Sequence, residues 1–259
     1  MTTQPVNVFA LFAHPDDAEF LCAGTLGLLA DRGARIHITT MTAGDCGSTV
    51  LPAARISGIR RGEAQRAAAL IGATYSCLNE KDLSIFYDRR TLGKVMEAVR
   101  AAGPAVVFTH SPVDYMADHE TTSRLCQTAC FGAMAPNFQT KIRSASRPLR
   151  AIPHLYYAEP FGGRDILGQE IPSTLYIDIA AAFTRKTGML ACHESQQAFL
   201  SAQQGISDTL TMMKSMAERA GKTSGLGQAE GFRQHLGQGF PANNLLAKLL
   251  GDLAHSANR

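Results

Sequence analysis

A chain of 259 residues, 45% hydrophobic and 18% charged, is long enough to bury a large core within one α/β unit, and its composition excludes a disordered or collagen-like chain. Its 25 basic and 22 acidic residues leave a formal charge of +3, too little to argue for a nucleic-acid partner, and no aromatic-basic stripe supports one. No apolar run approaches the ~20 residues of a membrane span, residues 1–7 lack a signal-peptide layout, and six scattered cysteines without a CxxC pair fit free thiols in a reducing compartment, so a cytoplasmic location is expected.

In chain order, the sequence alternates strands and helices. Residues 8–13, Val8-Phe9-Ala10-Leu11-Phe12-Ala13, are a short continuous apolar run, the pattern of a strand buried on both faces of a parallel sheet. Phe20, Leu21, Gly24, Leu26, Leu28 and Leu29 then mark a helix that stops near Gly33. Between them lies Ala13-His14-Pro15-Asp16-Asp17-Ala18-Glu19, on a strand-to-helix turn at the edge where open α/β sheets bind ligands. Two adjacent aspartates repel unless a positive charge sits among them. His14 and Asp17 are three apart across the corner, so both can face one ion with a nitrogen and an oxygen of the kind zinc accepts. Asp16 then points elsewhere, and near such an ion it can take a proton from acidified water. The bland alternative is that the two aspartates cap the helix and complement its dipole.

Residues 35–41 read as a second strand, alternating and rich in β-branched side chains. The loop over 42–57, with Gly44, Gly47 and Pro52, is long enough to cover a substrate. A helix is expected over 59–71, with Arg60 and Arg61 at its start, where the helix dipole disfavours a cation; the mismatch hints that one of them has another job. A third strand (74–78), a helix (92–100) ended by Gly103-Pro104 and a fourth strand (105–109) follow. The fourth strand runs into a second polar cluster, His110-Ser111-Pro112-Val113-Asp114-Tyr115-Met116-Ala117-Asp118-His119-Glu120, with a helix over 121–134. A catalytic zinc needs a third protein ligand and one open position, and two such turns on one sheet edge can converge.

Residues 136–150 are irregular and basic (Lys141, Arg143, Arg147, Arg150), either a solvated connector or, if they face the site, a preference for an anionic substrate. Strands over 153–157 and 174–178 flank Phe161-Gly162-Gly163, and their tyrosines and Phe161 suit either a core or a sugar pocket. From residue 180 the chain is expected to be helical, over 180–203, 208–220, 228–236 and 243–253. Met212, Met213 and Met216 at helical spacing suit packing or an oligomer contact, and Cys126 and Cys130, four apart, suit a buried helical face rather than a second metal site.

These motifs resemble the LmbE-like, or PIG-L, family of zinc-dependent de-N-acetylases, whose first motif reads His-Pro-Asp-Asp and whose later one ends in Asp-His before a helix. Thr42-Ala43-Gly44-Asp45, Arg60 with Glu63, Asp178-Ile179, His193-Glu194-Ser195-Gln196 and Ala229-Glu230-Gly231-Phe232 extend the likeness along most of the chain. The resemblance implies one domain over 1–259, a Rossmann-like, mostly parallel α/β sheet with a mainly helical part over 180–259. It also implies His14, Asp17 and His119 as ligands of Zn2+, with Fe2+ or Co2+ able to take the same donors. Asp16 would be the general base, Asp118 an orienting carboxylate, and Arg60 and Asp82 would meet substrate. Many relatives carry a histidine where this chain has Met116; His110, Tyr115 and His193 are the candidates to replace it, Tyr115 also as a substrate contact. The implied reaction is hydrolysis of an N-acetyl or other N-acyl group on an amino sugar or similar small amide, with a homo-oligomer compatible with the family. Met116 keeps open a metal-binding relative that binds sugars or regulates without turning over. A dinucleotide enzyme is disfavoured, since the first turn lacks GxGxxG and holds acidic side chains where pyrophosphate needs backbone amides.

Overall fold

The apolar run at the start of the chain becomes the centre of the sheet. In the computed structural model, which describes residues 5–140, 145–204 and 208–257, β1 (Asn7–Phe12) lies between β2 (Arg35–Thr42) and β4 (Val106–Thr109), parallel to both. Both its faces are covered, as an unbroken apolar strand requires: Val8, Ala10 and Phe12 enter one core, Phe9 and Leu11 the other. Among the described residues eight strands form one sheet, where β3 (Thr74–Glu80) and β5 (His154–Ala158) complete a five-stranded parallel part and β6 (Leu175–Asp178), β7 (Ala229–Gln234) and β8 (Ala254–Ser256) extend it, in the order β3-β2-β1-β4-β5-β7-β6-β8. The chain moves outward from β1 to β2 and β3, then returns to β4 on the other side of β1. That reversal makes a crevice between the carboxyl ends of β1 and β4. The register pairs Leu11 with Thr109, which brings the two polar turns, starting at Ala13 and His110, side by side.

Helices α1 (Asp17–Leu21) and α2 (Ala23–Asp31) follow β1, α3 (Ala53–Ala69) follows β2, α4 (Arg89–Ala102) follows β3 and α5 (Ala117–Gly132) follows β4. Helix α3 starts at Ala53 behind Pro52, six residues earlier than the apolar pattern suggests. Arg60 therefore sits well inside the helix rather than at its start, so the dipole mismatch does not arise. Cys126 and Cys130 are both fully buried on α5, as a packing face requires.

The C-terminal part is less helical than expected. The segment 228–236 is a strand, β7 (Ala229–Gln234), antiparallel to β5 and to β6 (Leu175–Asp178), and β8 (Ala254–Ser256) closes that edge. Its pattern misleads because Glu230, a core position, is charged: its carboxylate receives the amides of Gly24 and Thr25 at 2.9 and 2.7 Å and the Lys186 ammonium at 2.6 Å. The expected helix over 180–203 is broken at His193 into α6 (Phe183–Ala191) and α7 (Glu194–Gln204); α8 (Thr209–Ser224) and α9 (Leu245–Leu250) complete the set. Glu63 of α3 takes the Ser195 amide and hydroxyl at 2.9 and 2.5 Å, pinning the start of α7 over the crevice. Tyr156 and Tyr176 belong to the core, as does Met213. Lys141 and Arg143 lie outside the described residues, and Arg147 and Arg150 are exposed. Among the described residues no helix is long and apolar enough to cross a membrane.

Candidate metal centre

Neither aspartate of the first turn caps the helix behind it. Asp16 occupies the cap position with φ 102°, a left-handed backbone unusual for a residue with a side chain, and its carboxylate makes no cap hydrogen bond. Asp17 turns back instead, and its Oδ2 accepts the His14 amide at 2.7 Å. The same carboxylate meets three imidazoles: His14 Nδ1 at 3.4 Å and His110 Nε2 at 3.2 Å from Oδ2, and His119 Nε2 at 3.6 Å from Oδ1. His14, Asp17 and His119 each offer a donor atom, and the three atoms lie within 4.8 Å of one another. Two imidazoles and a carboxylate at that separation fit a borderline dication such as zinc.

Electrostatics support the fit. Burial opposes a charge on His14, yet its hydrogen bonds to Asp118 and Asp17 more than reverse this and lift its pKa to about 10. The carboxylates around it thus call for a positive charge, as a proton or as a metal. Burial also works against ionised Asp17, but the imidazoles of His119, His110 and His14 hold its pKa well below the usual carboxylate range.

Each imidazole is held from behind. His119 Nδ1 contacts Asp114 Oδ1 at 2.9 Å, and Asp114 is almost wholly buried. Asp118, expected as an orienting carboxylate, lies against His14: its Oδ2 contacts His14 Nε2 at 3.2 Å and receives the Leu83 amide at 2.7 Å. Leu83 reaches it through a left-handed backbone, φ 61°. His110 is fully buried; its Nε2 lies 3.0 Å from the Ala13 amide nitrogen and 3.2 Å from Asp17 Oδ2, and its ring stacks on His119 with centroids 3.9 Å apart. Burial, with the His119 charge, pushes its pKa down to about 4. It is a neutral brace outside the cavity wall.

Asp16 is buried beside the cluster. Arg60, itself buried, gives its Nη2 to Pro15 O at 2.7 Å and lies 3.4 Å from Asp16 Oδ1. The guanidinium passes over Gly44 and Gly47: a Cβ on Gly44 would come within 2.4 Å of Arg60 Nη1, so the loop after β2 must be bare there. Burial raises the Asp16 pKa to about 6, against the lowering charge of Arg60. His193, at the break between α6 and α7, is buried 3.5 Å from Glu19 Oε1. Burial pulls its pKa down, but Glu19 and Asp16 outweigh that and leave it raised.

A cavity of about 640 Å³ opens above the cluster, lined by His14, Asp16, Asp17 and His119 on one side. Tyr115, Asp82 and Arg60 reach it, whereas His110 and His193 do not. Asp82 also accepts the Cys46 amide at 2.8 Å, tying the loops after β2 and β3 together. Met116 itself lines the wall. Sequence reasoning missed Asp114, whose only signal was its place in the second motif, and it missed Phe20, Gln196, Phe199 and Leu200 as cavity residues; of the methionine group, Met212 faces the cavity.

Residues 9–130 match the family model described as PIG-L, GlcNAc-PI de-N-acetylase. The 4-oxalmesaconate hydratase of Pseudomonas putida is 24% identical over 205 residues, 76% of each chain. Among solved structures, 4-carboxy-2-hydroxymuconate hydratase from Pseudomonas putida KT2440 superposes with a TM-score of 0.74 at 21% identity, covering 92% of this chain and 99% of that one. The N,N'-diacetylchitobiose deacetylase of Pyrococcus horikoshii gives 0.73 at 23% identity, covering 92% and 88%. At these identities the likeness of structures is a likeness of fold.

Proposed function

The chain belongs to the PIG-L, LmbE-like family through residues 9–130, and on that premise we propose that it is a metal-dependent hydrolase that removes an N-acyl group, foremost N-acetyl, from a small amide such as an amino-sugar derivative. The observation that carries this reading is the convergence of His14, Asp17 and His119 within 4.8 Å, with the Asp16 carboxylate beside them. These three side chains would hold zinc, or iron or cobalt in its place, which supplies a Lewis acid for the amide carbonyl and for water. Asp16 takes the proton of the attacking water on its carboxylate and passes it to the departing nitrogen, a role suited to a buried acid whose pKa lies near 6. Arg60 fixes the Asp16 turn and keeps its carboxylate aimed into the cavity. Tyr115, edge-on to His119 with centroids 5.2 Å apart, is the side chain best placed to give the carbonyl oxygen the hydrogen bond that Met116 cannot. Asp114 and Asp118 hold the two ligand imidazoles.

The hydratase relatives raise water addition to an unsaturated carboxylate as the competing reaction. The charges on the cavity wall argue against it. Asp16, Asp17, Asp82 and Asp114 face a single guanidinium among the described residues, Arg60, and that one is already engaged by Pro15 O and Asp16. A substrate with several carboxylates finds little there beyond the metal, whereas a neutral amide meets no such penalty. The test is the metal-loaded protein with N-acetylated amines and with carboxylated muconates. Release of primary amine and acetate is expected; hydration of a muconate without amine release from any amide overturns the proposal.

A further inference from the structure

The cavity has two unlike halves, and the second is not built for a bare sugar. His14, Asp17 and His119 make the candidate metal site, with Asp16 beside them and Asp114 behind His119. Much of the remaining wall comes from Phe20 of α1, Phe161 after β5, Phe199 and Leu200 of α7, and Met212 of α8. Phe161 links the halves: its ring lies 6.1 Å from Phe20 and 6.0 Å from Tyr115, which in turn meets His119. An aromatic face therefore runs without interruption from a metal ligand outward. The charged side chains on the wall each have a protein partner, Arg60 with Pro15 O and Asp16, Asp114 with His119, Asp82 with Cys46, while among the described residues Asp82 Oδ1 and Asp114 Oδ2 are buried without one. Gln196 on this wall is neutral. Among the described residues its Oε1 is buried without a hydrogen-bond partner, and it shares a helical face with Phe199 and Leu200, three and four residues on. A sugar ring brings several hydroxyls, each needing a partner on losing water; among the described side chains this apolar wall supplies the Gln196 amide and, at its inner end, the Tyr115 hydroxyl.

We propose that the substrate is an N-acyl amine whose amine side carries an apolar body, an aromatic ring foremost, seated against Phe161, Phe199 and Leu200, with Gln196 Oε1 accepting the amide N–H. The proposal rests on the hydrolase reading for the placement of the acyl group and goes beyond it in naming the rest of the substrate. A cavity of about 640 Å³ has room for such a body beyond the acyl group. Burial of the ring against these side chains would then select the substrate, with the polar half left to the reacting bond.

The experiment separates selection from turnover. Metal-loaded Asp16→Asn protein is titrated calorimetrically with N-acetyl-2-phenylethylamine and with N-acetylglucosamine, which share the acetamide and differ in the body. At least tenfold tighter binding of the phenylethyl amide is expected, shrinking to threefold or less in Phe161→Ala and Phe199→Ala proteins that retain their metal. Equal affinities, tighter binding of the sugar, or a preference untouched by both truncations would overturn the proposal. Amine release is assayed separately with the unmodified protein: a binding preference without release from any amide removes the hydrolase reading and leaves the apolar seat standing.

Discussion

Asp16 holds a left-handed backbone that costs a residue with a side chain about 1–3 kcal/mol, and what it gains is a carboxylate freed from the helix cap and turned into the cavity. If that carboxylate is the base, Asp16→Asn should keep one metal ion per chain and lose about 100-fold or more in turnover. Metal analysis paired with an amine-release assay reads both, and a variant that keeps its turnover removes Asp16 from the chemistry. Asp114 acts one step back: Asp114→Asn leaves His119 without its anionic partner and should weaken metal binding about 10- to 100-fold, read by competition with a chelator. His14 sets the pH dependence of loading. Its pKa in the metal-free protein is raised to about 10, so it holds a proton at pH 7.5, and a ligand imidazole must be neutral. Metal binding at that pH should release about one proton and strengthen about tenfold per pH unit up to pH 10. Calorimetry in buffers of differing ionisation enthalpy counts the proton; a count near zero means His14 was already neutral. These residues were legible in unequal measure. His14 and Asp17 could be picked out as candidate ligands by their spacing across one corner, whereas His119 was chosen from the second polar cluster by the family resemblance. Asp114 could not be picked out, since a sequence does not say which of two aspartates near a histidine turns toward its ring.

At the scale of elements, the turn is kept in place by groups far away in the chain. The first amides of α2 are capped by Glu230 from β7, whose charge is balanced by Lys186 of α6, and Lys186 also gives a hydrogen bond to Phe20 O at 2.7 Å. Both partners are buried, so removing either strands a charge: Glu230→Gln or Lys186→Met should each cost about 3–5 kcal/mol, and the double variant less than the sum. Urea denaturation of the three proteins measures this; additive losses would mean that the two groups are not coupled. The same pair explains why β7 was hidden. A strand is recognised by alternation, and a glutamate placed in the core by a lysine from another element breaks the alternation in a way no local window reveals. Helix α3 was mistaken at its start for a simpler reason, since Pro52 suits the boundary but the residues after it carry no apolar stripe. The dipole argument, which pointed to Arg60 or Arg61 alike, is removed by their true position; the family resemblance is what selects Arg60, whose guanidinium contacts Pro15 O and Asp16. The central strands, buried on both faces, could be read directly because nothing interrupts their apolar runs.

For the molecule as a whole, the proposed metal ligands lie within residues 9–130, while much of the apolar cavity wall comes from Phe161, Phe199, Leu200 and Met212. Two features argue that these parts form one folding unit. The sheet continues through β5 into the antiparallel strands without a gap, and Glu230 and Lys186 anchor the first crossover. A metal bound only by the native state, at 1,000 times its dissociation constant, adds about 4 kcal/mol of stability. For a chain of this size each kcal/mol moves Tm by about 2–4 °C, so chelation should lower Tm by roughly 8–16 °C. The decisive feature is the shape of the loss. In one cooperative unit the far-ultraviolet signal of the whole backbone and the near-ultraviolet signal of the tyrosines, the chain having no tryptophan, should move down together as a single transition. Two independent units would instead leave a second step, from the C-terminal strands and helices, at the same temperature with and without metal.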